Sequence, residues 1–410
     1  MSRPRRSRAT FWLRLLLAVG AITGLSAAYR FALRYRERVG LPRRSPVETS
    51  PAEFGLAFET VEIPAGDHTL SGWFVPAESD GLTPPRRRAA TAAAATESPT
   101  ATAKAAAKGA TAKGAAKVKG ATAASATAKG ATAASAPRPA IVIVHGWESN
   151  KGRTFAHVRY LHAAGFHCLV FDVRGHGDNP PETVTMSVPE FADDTVAAAR
   201  WLAARPEVSA VGVLGHSMGG AGAIIAASRE PSIRAVVSLS APSDLTRMTR
   251  QTFDMGEKHI PEPIATPLAW FTAAIMLVPR HHSVEDASAL VAAARYRGPL
   301  LLIHGGKDNG VPVEHLELIG RAAVAKRTAA DGPVETLVLP EFGHRWLYED
   351  AGCRRKIATF FGRCLGGPIA PETAGHFAAN CVVERPPDPI YGFGAMATKT
   401  PAPGQFIPNN

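Results

Sequence analysis

The sequence predicts an α/β fold, a mostly parallel central sheet with helices on both faces. Three observations carry that reading. Between residues 140 and 365, short Val- and Ile-rich runs alternate with stretches of helical spacing, the pattern of βαβ units. Runs such as Ala140-Ile-Val-Ile-Val144 are apolar throughout, as parallel strands covered on both faces are. One run, Ala210-Val-Gly-Val-Leu214, passes through Gly215-His216-Ser217-Met218-Gly219 into a small-residue helix, which is G-x-S-x-G at a strand–turn–helix junction. A serine at such a turn takes a strained backbone conformation, so its neighbours two positions away must be small.

Charge is unevenly placed. Residues 1–44 hold eleven Arg against Glu37 alone, and residues 85–139 hold ten basic residues against Glu97. The rest of the chain is acidic, so the net charge of +11 belongs to two appendages and implies no nucleic-acid site in the folded part.

Within residues 1–44, Phe11 to Tyr29 is apolar or small apart from Arg14. That approaches the ~20 residues a bilayer span needs. The first reading is a single-pass signal-anchor helix, which puts the protein at a membrane, on a side the sequence does not fix. A signal peptide cleaved near Ser26-Ala27-Ala28, followed by export, and an interfacial amphipathic helix are the alternatives. Residues 54–79 read as a hairpin, with a turn at Pro64-Ala65-Gly66-Asp67. Residues 80–139 are mainly Ala, Thr, Lys, Gly and Ser, with Lys119 to Ala126 repeated as Lys129 to Ala136. Such material has too little apolar surface to offset chain entropy and is expected to be disordered.

Strands are expected at 140–144, 167–173, 210–215, 235–239, 299–304 and 334–339, with a closing helix over 345–365. Residues 243–297 interrupt the alternation and are read as a helical cap after the sixth strand. The apolar stretch 268–278 belongs either to that cap or to an ordinary core helix. Residues 366–410 form a Pro/Gly-rich tail, expected to wrap the surface or be disordered. Cys353 and Cys364 lie about three helical turns apart, roughly 16 Å, too far to bond each other, while Cys381 is free to pair with either.

A serine hydroxyl needs a base oriented by a third group. His344 follows the last strand and Asp308 the strand before it, so both emerge with Ser217 at the carboxyl ends of the strands. His145, His176 and His216 sit in glycine-rich turns and read as structural. Asp172 precedes the serine and so does not fit as the acid, and Asp178 is expected to be solvated. No histidine or cysteine pair has metal-ligand spacing, and no metal or cofactor is expected.

Taken with His145-Gly146, Asp172-x-Arg174-Gly175-His176-Gly177, His304-Gly305-x-x-Asp308 and Gly343-His344, the elbow makes residues 54–365 resemble an α/β-hydrolase. The lysophospholipase, monoacylglycerol-lipase and proline-aminopeptidase branches are the most similar. The resemblance implies Ser217 as nucleophile, His344 as base and Asp308 as orienting acid, with the Trp147 and Met218 amides as oxyanion hole. It also implies His145, Gly146 and His216 near the substrate. The long insertion 80–139 departs from the family pattern. The expected activity is hydrolysis of an acyl ester through an acyl-enzyme, and the apolar stretches at 11–29 and 268–278 point to a lipophilic acyl substrate. A proline-aminopeptidase-type peptidase and an inert, membrane-tethered hydrolase-like protein are the competing expectations.

Overall fold

The computed structural model describes residues 8–78, 136–254 and 260–385. The expected insertion lies outside them from residue 80 to 135, as does the tail from residue 386. The eight strands are β1 (Glu59–Ala65), β2 (His68–Val75), β3 (Arg138–Val144), β4 (His167–Phe171), β5 (Val208–His216), β6 (Ile233–Leu239), β7 (Leu300–Gly305) and β8 (Val334–Leu339). They form one sheet in the order β1-β2-β4-β3-β5-β6-β7-β8. β2 pairs antiparallel with β1 and with β4, and every later pair is parallel. β3 starts two residues before the expected Ala140 and is buried along its length, the outcome its unbroken apolar run demands.

Helices α2 (Phe155–Ala163), α3 (Val188–Ala203), α4 (Met218–Ala227), α7 (Ala289–Arg295), α8 (Glu314–Val324) and α9 (Ala351–Leu365) cover both faces. The side chains of α3, α4, α7 and α8 share one core with one face of the sheet, and those of α2 and α9 share a second core with the other. Between β6 and β7, α5 (Leu245–Asp254) and α6 (Glu262–Leu277) form the interruption expected as a cap.

The tail expected from residue 366 instead begins with a helix, α10 (Pro371–Asn380), lying on α9. Pro371 starts it, and small residues let it close on α9, where a Cβ on Gly375 would strike Thr359. The buried Arg354 of α9 donates to the carbonyls of Ala378 (2.9 Å) and Ala379 (2.6 Å) at its end. All four cysteines are free, Cys381 included.

The first helix, α1 (Arg8–Val39), is long and apolar enough to cross a membrane, and so by length and composition is the segment Glu262–Arg280. Along its first two thirds α1 exposes large apolar side chains, among them Trp12, Leu16, Ile22 and Leu25. Its last turns dock on the body. Ala32 is fully buried, Phe31 meets Phe253 edge-on at 5.5 Å, and the Tyr35 hydroxyl lies 3.1 Å from Thr252 Oγ1. Arg36 donates to the Ile275 carbonyl at 3.4 Å.

Candidate active site

Ser217 separates β5 from α4 with φ 55° and ψ −123°, a conformation disfavoured for any residue with a side chain. Packing holds it there. A Cβ on Gly215 would strike the Gly219 carbonyl, and one on Gly219 would strike the backbone of Val144 and His145. The Ser217 N–H donates to the Leu239 carbonyl at 2.8 Å, which ties the turn to the end of β6.

The loops after β7 and β8 bring Asp308 and His344 to the same sheet edge. His344 Nε2 lies 3.0 Å from Ser217 Oγ, and His344 Nδ1 lies 2.7 Å from Asp308 Oδ2. Asp308 Oδ1 accepts from the N–H groups of Gly310 (3.0 Å) and Val311 (2.8 Å). Burial alone would raise the Asp308 carboxyl, but contacts from His304 and His344 and the Val311 N–H outweigh it and hold it well below the usual carboxylate range. His304 Nε2 approaches Asp308 Oδ2 at 3.3 Å while donating to the Val311 carbonyl at 2.7 Å. Sequence reading placed His304 in the motif with Asp308 but gave this second histidine on the carboxylate no role of its own.

Three other histidines surround the site without a free role in it. His145 Nδ1 donates to the Gly146 carbonyl (2.7 Å), and its Nε2 accepts from the Val173 N–H (3.0 Å). Both ring nitrogens are used, so His145, which lines the cavity at Ser217 with Gly146 and His216, also fastens the β3 loop to the β4 loop. His216 Nε2 donates to the His344 carbonyl at 2.8 Å and so braces the loop that carries His344. Burial pushes His145 down to about 4, and His176 and His216 to about 3, which keeps all of them neutral near pH 7.

Trp147 and Met218 line a cavity together with Ser217. Among the described residues neither backbone N–H donates to a backbone carbonyl. The loop bearing Trp147 is anchored below by a buried ion pair. Lys151 Nζ lies 2.7 Å from Asp172 Oδ2 and 2.5 Å from Asp178 Oδ2, and the Lys151 N–H donates to Asp172 Oδ1 at 2.7 Å. Asp178, expected to be solvated, is exposed, and turns one oxygen to this ammonium. Asp172 clamps the β3 and β4 loops together, as its place before the serine left it free to do.

Two cavities meet at Ser217, Trp147 and Glu148. One, of about 860 Å³, is lined by His344, His216, Gly146 and Tyr348. The other, of about 1090 Å³, is lined by Met218, Val188, Met248, Met276 and the end of α1. Among the described residues no cluster of His, Cys, Asp and Glu is arranged to hold a metal ion.

The family described as serine aminopeptidase, S33, matches residues 135–277. An uncharacterized protein of Mycobacterium tuberculosis is 28% identical over 210 residues, 50% of this chain and 63% of its own length. Human protein ABHD12B is 27% identical over 187 residues, 43% of this chain and 48% of its own length. The chain thus spans less than two thirds of the curated relatives it matches. Among solved structures, the Pyrococcus furiosus esterase Pf2001 superposes with a TM-score of 0.53 at 20% identity, over 80% of this chain and 97% of its own. At that identity the likeness establishes the fold. The strand order, the elbow at the end of β5 and the likeness to the esterase give the chain the α/β-hydrolase fold, and the family match falls within it.

Proposed function

We propose that the protein is a serine hydrolase that cleaves an acyl ester through an acyl-enzyme. The hydrogen-bonded chain Asp308–His344–Ser217 at the elbow carries the proposal. Ser217 Oγ attacks the ester carbonyl and its proton passes to His344 Nε2. Collapse of the tetrahedral intermediate breaks the bond to the alcohol, which takes that proton. Water then repeats the sequence on the acyl-enzyme, releasing the acid and restoring the serine. Asp308 fixes the tautomer with Nδ1–H toward itself and faces the imidazolium as it forms. The Trp147 and Met218 amides, with no backbone partner of their own, are directed at the developing oxyanion.

Ser217→Ala is expected to abolish fluorophosphonate labelling and to lower p-nitrophenyl ester turnover by about 10⁴-fold or more. Labelling at the wild-type rate would refute the assignment and favour an inert hydrolase-like protein. The description of the matched family favours a second reading, an aminopeptidase, in which Glu148 between the two cavities would meet a free amine. Release of aminoacyl amides without ester turnover would select it.

The apolar α1 supports a membrane-anchored protein. Removal of residues 1–34 should move the protein from the membrane to the soluble fraction, and equal partition of both forms would count against an anchor. No nucleic-acid partner and no cofactor enter this scheme.

A further inference from the structure

The two cavities at Ser217 are chemically unequal, and His344 decides which part of an ester each would hold. The group that protonates the leaving alcohol must face it, and His344 lines only the cavity of about 860 Å³. The alcohol therefore sits there, and the acyl chain falls to the cavity of about 1090 Å³, beside Met218. That cavity is lined by Val39, Met186, Val188, Leu245, Met248 and Met276, with Arg38, Arg43, Glu148 and Asp244 also on its wall. Flexible, polarisable methionines over aliphatic walls suit a hydrocarbon chain of variable shape.

Val39 and Tyr35 belong to α1, so the apolar N-terminal helix is itself part of the cavity wall. Its 32 residues extend about 48 Å, against the roughly 30 Å of a bilayer core. One helix is long enough to cross the membrane and still deliver its last turns to the protein body. Those last turns are the ones that pack against Phe253, Thr252 and Ile275. The exposed Arg34 and Arg38 lie at the junction, where basic residues meet lipid headgroups. α6 lies along α1 and also exposes apolar side chains, Ile264 and Trp270. Apolar side chains exposed on α1 and α6 thus adjoin the part of α1 that supplies the cavity wall.

We propose that α1 is at once the membrane anchor and a wall of the acyl-binding site, so that the substrate is a long-chain fatty acyl ester drawn from the bilayer along α1 and α6 to Ser217. This rests on the serine-hydrolase reading for the reaction but not for the binding.

The test uses the full chain in phosphatidylcholine vesicles with a series of monoacyl esters from C4 to C18. Each methylene accepted by the cavity should raise kcat/KM by up to about fourfold, and long chains should be preferred. Val39→Trp on α1 and Met248→Trp on α5 occupy the cavity from two elements. Each should lower the C16-to-C4 ratio of kcat/KM by at least about tenfold, as loss of two or more buried methylenes requires. A wild-type preference for C4, or an unchanged ratio in both variants, overturns the proposal. A photoactivatable palmitic acid in the same vesicles provides a readout independent of turnover, applied to the Ser217→Ala chain. Crosslinks within residues 35–39 and 245–252 support the site even if fluorophosphonate labelling sinks the hydrolase reading. Crosslinks confined to the exposed part of α1 overturn it.

Discussion

Replacing Lys151 by Met tests whether the ion pair beneath the Trp147 loop holds that loop. The Lys151 and Asp172 side chains have no solvent exposure, and the ammonium contacts Asp172, Asp178 and Ser71 Oγ (3.1 Å) while lying 4.9 Å above the Trp73 ring. Met preserves the stem and its packing but deletes the charge. Asp172 then stays buried, with the N–H groups of Lys151 (2.7 Å) and Asp178 (2.9 Å) as its remaining donors. Removing one partner of a buried pair costs about 3–5 kcal/mol, and those two donors place this case near the lower end, about 3 kcal/mol. In a domain of this size that corresponds to a fall in Tm of about 4–5 °C. Asp172→Asn with Lys151→Met should cost less than the sum of the two single changes, by about 1 kcal/mol or more. Urea unfolding and thermal melting of the four proteins give these numbers. A single-variant loss below about 1 kcal/mol, or strict additivity, would refute the argument that a desolvated charge pair holds the two loops.

Other expectations concern the same framework. Gly219→Ala sets a methyl against the Val144 and His145 backbone and should cost about 1–3 kcal/mol or prevent folding, read by melting. Arg354→Met leaves the Tyr348, Ala378 and Ala379 carbonyls without their donor and should cost about 2–4 kcal/mol, with α10 the first segment to gain hydrogen exchange. Acid should destabilise the fold as its buried histidines take up protons on unfolding. His145, His157, His176 and His216 are lowered by burial from 6.5 to about 4, 3, 3 and 3, so between those values and 6.5 the unfolded chain binds protons that the native state does not. Each should contribute stability that is present above pH 6.5 and falls by about 1.2 kcal/mol from pH 7 to 5.5. Urea titrations that coincide at those two pH values would contradict it.

The strands and the elbow were readable because each obeys a local rule. Continuous Val/Ile runs mark strands covered on both faces, and glycines at 215 and 219 mark a turn where no Cβ fits. Ser217, Asp308 and His344 were singled out by their places after β5, β7 and β8, which parallel topology sends to one edge. What the sequence hid depends on tertiary contact. Nothing local says that Lys151 is buried, because its partners lie 21 and 27 residues on. The helix at 371–380 was masked by the Pro- and Gly-rich run around it, although Pro371 with Glu372 in the first turn is a helix start. The role of α1 as a cavity wall follows from its contacts with α5 and α6, which no periodicity within α1 encodes.

The histidines around the site explain each other. His216 lies beside His344, ring centres 5.0 Å apart, and a positive charge there would oppose the imidazolium that the proposed attack by Ser217 would create. Burial keeps His216 neutral, and neutrality lets its one N–H serve the His344 carbonyl. The same burial fixes His145 as a neutral link between the β3 and β4 loops. Asp308 is treated oppositely, surrounded by donors that favour its charge. A carboxylate held ionised on one side of His344 and a neutral ring on the other leave a field that would favour a proton arriving at Nε2. The apolar neighbours that place these rings in the core are therefore part of the environment of the proposed base, as Asp308 is.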